Sequence, residues 1–227
     1  MNILKIAHRG AKAYEPENTL KAFQKALDLN SDGIELDVHL SADEQIIVIH
    51  DETVDRTTNG KGVVNTFSLS ELKSFLIDEK YQIPTLNEVF DLVDKKCFIN
   101  IELKGLGTPS KVVQLIEQYI SEKNWSYNHF IVSSFDWNML EETLNLNPNI
   151  AIGVLTEEDL DTALAFAEKI KAKAIHPDYQ LLNIENVKKI QEKGFLVLPW
   201  TVNSTEDIQK VKSYKVDGII SDNPDKI

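Results

Sequence analysis

The sequence predicts an α/β fold, a (β/α)₈ barrel. Three observations carry this: short β-branched runs alternate with longer stretches at helical period, eight such runs can be counted, and 227 residues at 42% hydrophobic fall in the range where these barrels form one domain. The strand-like runs cover 3–8, 33–40, 97–103, 130–134, 151–155, 174–176, 195–201 and 218–221. Helices are expected over 19–29, 86–95, 110–123, 137–146, 157–169, 184–193 and 205–214. Asn18, Thr85, Thr156, Asn183 and Ser204 stand where N-caps would satisfy free amide donors, and Gly194 stands where a helix would end. The expected organisation is one barrel domain over 1–227. The stretch 51–84 breaks the rhythm, and its Thr57-Thr58-Asn59-Gly60-Lys61-Gly62 is turn-forming. It reads as a small insertion carrying a short helix over 70–76.

The charge balance of 24 basic against 36 acidic side chains gives −12, which argues against generic attraction to nucleic acid or anionic lipid. An anionic substrate must then be captured by local cations. Cys97 is the sole cysteine, so no internal disulfide forms. No apolar stretch approaches the ~20 residues of a membrane span, and no leader pattern opens the sequence. The expectation is a soluble cytoplasmic protein with a small-molecule partner and no stable membrane insertion.

Barrel strands are covered on both faces and normally read as continuously apolar. Two runs here alternate instead. In 33–40, Ile34, Leu36 and Val38 share one face while Glu35, Asp37 and His39 share the other. In 98–104, Ile99, Ile101 and Leu103 oppose Asn100, Glu102 and Lys104. If the apolar sets meet the helices, Glu35, Asp37 and Glu102 converge inside the barrel. Three partly desolvated carboxylates are unstable together unless a cation joins them. All-oxygen ligands favour one Mg²⁺ or Ca²⁺ over zinc.

The run 46–49 follows the strand 33–40 too closely for a parallel crossover and must form a hairpin with it. A turn centred on Asp43 and Glu44 would set Val48 opposite His39 and His50 opposite Asp37, bringing His50 to the metal site. His8 ends the first strand, at the mouth where barrel enzymes do their chemistry. Two imidazoles beside a cation suit an acid and base pair. Arg9 and Lys104, adjacent to this set, suit anion binding. Trp200, at a strand end, is read as a pocket wall, whereas Tyr14, Phe135, His176 and Tyr179 are read as packing.

An ordered series of motifs resembles the glycerophosphodiester phosphodiesterase family. It comprises His8-Arg9-Gly10, Pro16-Glu17-Asn18-Thr19, Glu35-Leu36-Asp37-Val38, His50-Asp51, Arg56-Thr57-Thr58-Asn59-Gly60, Ile101-Glu102-Leu103-Lys104, Trp200-Thr201-Val202-Asn203 and Ser221-Asp222-Asn223-Pro224. The resemblance implies a cation on Glu35, Asp37 and Glu102, general base and acid roles for His8 and His50, and a phosphate grip by Arg9 and Lys104. It also implies hydrolysis of glycerophosphodiesters to glycerol 3-phosphate and an alcohol. The hairpin turn departs from the family pattern, with Asp43-Glu44-Gln45 where a glycine is usual. A lysophospholipase D or sphingomyelinase D-like relative is the nearest rival, but no amphipathic membrane helix is evident. A noncatalytic barrel binding phosphorylated ligands is the rival from another class.

Overall fold

The computed structural model describes residues 3–227. The strands are β1 (Leu4–Ala7), β2 (Gly33–Leu40), the hairpin strand β3 (Ile46–Val48), a small pair β4 (Leu76–Ile77) and β5 (Tyr81–Gln82), then β6 (Phe98–Leu103), β7 (Phe130–Ser134), β8 (Ala151–Thr156), β9 (Ala174–Pro177), β10 (Leu196–Val197) and β11 (Gly218–Ser221), most of them built on β-branched residues at the covered positions. The helices are α1 (Leu20–Asp28), α2 (Leu69–Leu72), α3 (Leu86–Val93), α4 (Thr108–Lys123), α5 (Trp137–Leu146), α6 (Leu160–Ile170), α7 (Ile184–Glu192) and α8 (Thr205–Ser213). None of the described helices is long and apolar enough to cross a membrane.

The parallel strands run in the order β10, β9, β8, β7, β6, β2, β1, β11, with β3 antiparallel to β2. This is a (β/α)₈ barrel. Regular β10 covers only part of the expected run 195–201, because Pro199 has no amide to donate to a ladder. The run still fills the eighth place. Leu198 and Trp200 donate to Ile175 and Pro177 on one side, while Pro199 accepts from Ile220 and Val202 donates to Ile220 on the other.

Outward residues of the strands and apolar faces of the helices form the main core, in which Phe23, Phe90 and Phe130 are fully buried. Burying each such ring stabilises the fold by roughly 1.5–3 kcal/mol. A smaller core fills the barrel interior around Ile6, Ala174, Leu198 and Ile220. Above them on β9, His176 packs against Gly153 of β8, where an added Cβ would lie 2.5 Å from the ring Nε2. Only glycine leaves room for that imidazole.

Three local expectations are corrected. Thr19, not Asn18, caps α1, accepting from the Ala22 amide; Asn18 adopts a left-handed φ of 55° and turns its side chain elsewhere. Asp159, not Thr156, caps α6, since the loop after β8 runs three residues further before the helix starts. The insertion helix is α2, capped by Ser68 with Glu71 in a reciprocal box, and the residues after it pair as β4 and β5.

The hairpin register is also displaced by one residue. Val38 pairs with Val48 and His39 with Ile47. The turn has three residues instead of two: Ser41 donates to the Gln45 carbonyl, and Glu44 takes a left-handed φ of 58°. An αL residue closing a three-residue loop is a common hairpin solution, and here a glutamate occupies it.

Candidate active site

Parallel pairing of β2 with β6 sets Glu35 beside Asn100 and Asp37 beside Glu102. Because Ile34, Leu36, Ile99 and Ile101 face the main core, alternation turns the polar partners into the barrel. Ligand-capable atoms of Glu35, Asp37 and Glu102 lie within 4.8 Å of one another, all deep in the mouth. Burial, then the charges of Asp37 and Glu102, pushes Glu35 well above the ordinary carboxylate range. Burial followed by Asp37 pushes Glu102 up to about 7. The bare cluster therefore has a strong demand for positive charge.

Protein cations meet only part of it. Lys104 Nζ lies 2.6 Å from Glu102 Oε1, off the direction of a good hydrogen bond, and 3.7 Å from Asp37 Oδ1. The Arg9 amide donates to Glu35 at 2.8 Å, and its guanidinium is shared between Glu17 at 2.8 Å and Asp37 at 3.4 Å. Asn18 donates to Asp37 Oδ2 at 2.9 Å, which explains its displacement from the helix cap. Asp37 Oδ1 remains buried without a hydrogen-bond partner among the described residues. An orphaned carboxylate oxygen beside two further acids is a donor set that fits a hard divalent cation.

His8 leaves β1 with its amide bonded to the Ser221 carbonyl at 2.9 Å. Its Nδ1 meets Asp222 Oδ1 at 2.6 Å. Asp222 is itself held on both sides by Asn203, whose amide nitrogen donates to Oδ2 at 2.9 Å while its oxygen accepts from the Asp222 backbone at 2.9 Å. Burial lowers the His8 pKa, against the opposing effect of Asp222. A neutral ring donating through Nδ1 carries its lone pair on Nε2.

His50 comes to the same pocket by a different route from the one its sequence position suggests. The β3 ladder stops at Val48, Ile49 donates to the Asp37 carbonyl at 3.0 Å, and the chain bends at His50. Its carbonyl accepts from His39 Nε2 at 3.1 Å, and its Nδ1 meets Asp51 Oδ1 at 2.7 Å. Arg56 grips both oxygens of Asp51 and both of Glu17. Glu17 also holds Arg9; although burial opposes it, hydrogen bonding from Arg56 and then the charge of Arg9 keep its carboxyl down at about 2. His50 and Arg9 are thus joined through Asp51, Arg56 and Glu17. Burial lowers the His50 pKa as well.

A pocket of 90 Å³ gathers His8, Arg9, Glu35, His50, Glu102, Lys104 and Trp200. Seven of the eight residues singled out from the sequence line it, and Asp37 lies within the carboxylate cluster at its base. Trp200 is fixed by an Nε1 bond to the His176 carbonyl at 2.8 Å. Phe135, expected as packing, lines the pocket edge-on to Trp200 at 5.4 Å; Tyr14, His176 and Tyr179 are not in its lining. The sequence reading gave no roles to Asp222, Asn203, Asp51, Arg56 and Glu17. For Asp222 the signal is non-local, since His8 lies 214 residues away, whereas Asp51 stands next to His50 and Arg56 only five residues beyond it.

A family model for glycerophosphoryl diester phosphodiesterases matches residues 8–226. The chain belongs to this family. A glycerophosphodiester phosphodiesterase of Caldanaerobacter subterraneus subsp. tengcongensis is 40% identical, with 100% of this chain and 97% of that protein covered. One from Bacillus altitudinis is 37% identical over 97% of this chain and 95% of its own length. Among solved structures, an Oleispira antarctica phosphodiesterase in complex with the product sn-glycerol-3-phosphate superposes with a TM-score of 0.90 at 27% identity, covering 100% of this chain and 95% of that one. The Thermotoga maritima glycerophosphodiester phosphodiesterase superposes at 0.83 with 31% identity, covering 99% and 97%. The chain is an enzyme of the phosphoric diester hydrolase class.

Proposed function

We propose that this chain cuts glycerophosphodiesters into glycerol 3-phosphate and an alcohol by general acid and base catalysis with His8 and His50, assisted by Mg²⁺ or Ca²⁺. One observation carries this reading: each pocket imidazole is paired through Nδ1 with its own carboxylate, Asp222 or Asp51, which leaves Nε2 for the substrate. The product bound by the Oleispira antarctica relative supports the choice of substrate.

Glu35, Asp37 and Glu102 hold the cation, which when bound supplies Lewis-acid stabilisation of charge on the phosphate oxygens. Arg9 and Lys104 hold the phosphate, and their charge-assisted bonds strengthen as negative charge builds on its nonbridging oxygens. His8, neutral with a lone pair on Nε2, takes the proton from the attacking hydroxyl. His50, oriented by Asp51, must take up a proton before the reaction and then gives it from Nε2 to the departing alkoxide, so one P–O bond forms as another breaks. The balance is the same whether water attacks directly or the glycerol hydroxyl attacks first and water then opens a cyclic ester. Trp200 and Phe135 wall the side that takes the glycerol unit.

The test is release of glycerol 3-phosphate from glycerophosphocholine, run beside lysophosphatidylcholine in Mg²⁺ or Ca²⁺. Faster turnover of the first is expected. Preference for the lipid would favour a lysophospholipase D, and inertness towards both would favour a noncatalytic phosphate-binding barrel.

A further inference from the structure

A second cavity, of 490 Å³, opens beside the active-site pocket and shares His50 and Lys104 with it. Its other walls come from the end of β2, from the insertion and from the turn after β6, with His39, Glu52, Asn65 and Leu106 among them. The sharing of His50 sets the direction. A proton donor must touch the group that leaves, so with the glycerol unit on the side walled by the edge-on pair Phe135 and Trp200 the alcohol departs on the His50 side, into this cavity.

The charges of the cavity are mostly committed. Lys104 is drawn to Glu102 and Asp37. Asp51 is bound by Arg56 and His50, and His39 Nε2 serves the His50 carbonyl at 3.1 Å. Glu52 differs: it is exposed and takes part in no ion pair among the described residues. It lines the same cavity as His39 and His50. The walls hold no Phe, Tyr or Trp among the described residues to cage a quaternary ammonium. They do offer acceptors on Glu52 and Asn65 for N–H donors.

We propose that this cavity is the leaving-group subsite, and that Glu52 selects diesters whose alcohol carries a primary ammonium group. The inference rests on the phosphodiesterase reading above, with His50 as proton donor.

The experiment compares kcat/KM for glycerophosphoethanolamine and glycerophosphoglycerol in the wild type, Glu52→Gln and Glu52→Lys, at two salt concentrations. The ratio between two substrates in one preparation is insensitive to the fraction of folded protein. The wild type should favour the ammonium diester, and E52Q should narrow that advantage about two- to fivefold, the size of a partly exposed ion pair. E52K should reverse it, and added salt should shrink it. Equal rates in the wild type, or a ratio unmoved by E52Q, would overturn the subsite while leaving the hydrolase intact. Failure to hydrolyse either diester would overturn the phosphodiesterase reading and the subsite with it.

Discussion

His8 and Asp222, at opposite ends of the chain, meet at 2.6 Å because β1 and β11 are neighbours that close the barrel. The carboxylate fixes the ring orientation and the proton on Nδ1. Replacing Asp222 with Asn keeps the shape but permits the wrong tautomer. Asp222→Asn should lower kcat about tenfold to a hundredfold with little change in KM, less than the ~10²–10⁴ of a general base itself. Steady-state kinetics at saturating metal would check this, and a kcat equal to wild type would remove Asp222 from the mechanism.

His50→Ala should cost the full acid contribution, about 10²–10⁴ in kcat. A substrate with a leaving group that departs without protonation, such as a nitrophenyl diester, should lose far less. Comparison of the two substrates is the check, since an equal loss on both would contradict a proton-donor role.

Chelation should abolish activity, and Mg²⁺ or Ca²⁺ should restore it. The same ions should raise the thermal midpoint, since a ligand at 100 times its Kd stabilises by about 2.7 kcal/mol. Glu102→Gln should weaken that shift. Calorimetry with and without chelator reads the effect apart from turnover, and identical midpoints would argue against a site on Glu35, Asp37 and Glu102.

His176 is buried without a partner for either ring nitrogen among the described residues, and burial lowers its pKa from 6.5 to about 3. The native ring stays neutral while the unfolded one takes up a proton below pH 6.5. Stability should therefore fall as pH drops through the window between those values, by about 1.4 kcal/mol per unit, or about 2 kcal/mol from pH 6.5 to 5. Urea titrations of wild type and His176→Leu should differ by this slope; equal slopes would refute it.

Gly153→Ala should clash with the same ring and cost about 1–3 kcal/mol. The double variant Gly153→Ala/His176→Ala should recover part of that loss. A double-mutant cycle measured by denaturant unfolding tests the pair, and simple additivity would count against direct contact.

Much of the barrel was legible because its strands carry their environment in their period. Glu35, Asp37 and Glu102 could be placed inward since the alternating apolar residues demand the helix layer, and α5 and β7 fall where their apolar spacing puts them. The hairpin register was not legible, because it depends on Glu44 accepting a left-handed conformation that its side chain does not advertise. Asn18 was assigned to a helix end by local chemistry, whereas Asp37, 19 residues away, had the stronger use for its amide. Arg56 and Glu17 lie 39 residues apart, and no local pattern foretells that they share hydrogen bonds.

The insertion keeps its own hydrophobic centre, in which Ile47 and Ile49 pack with Val54, Val64, Leu72 and Ile77. His50 follows directly from those two isoleucines, so its position is inherited from that satellite and not from the barrel alone. Loosening the satellite, for instance by Leu72→Ala, would silence turnover at temperatures where the remaining secondary structure is still intact, and heat inactivation would then run ahead of melting.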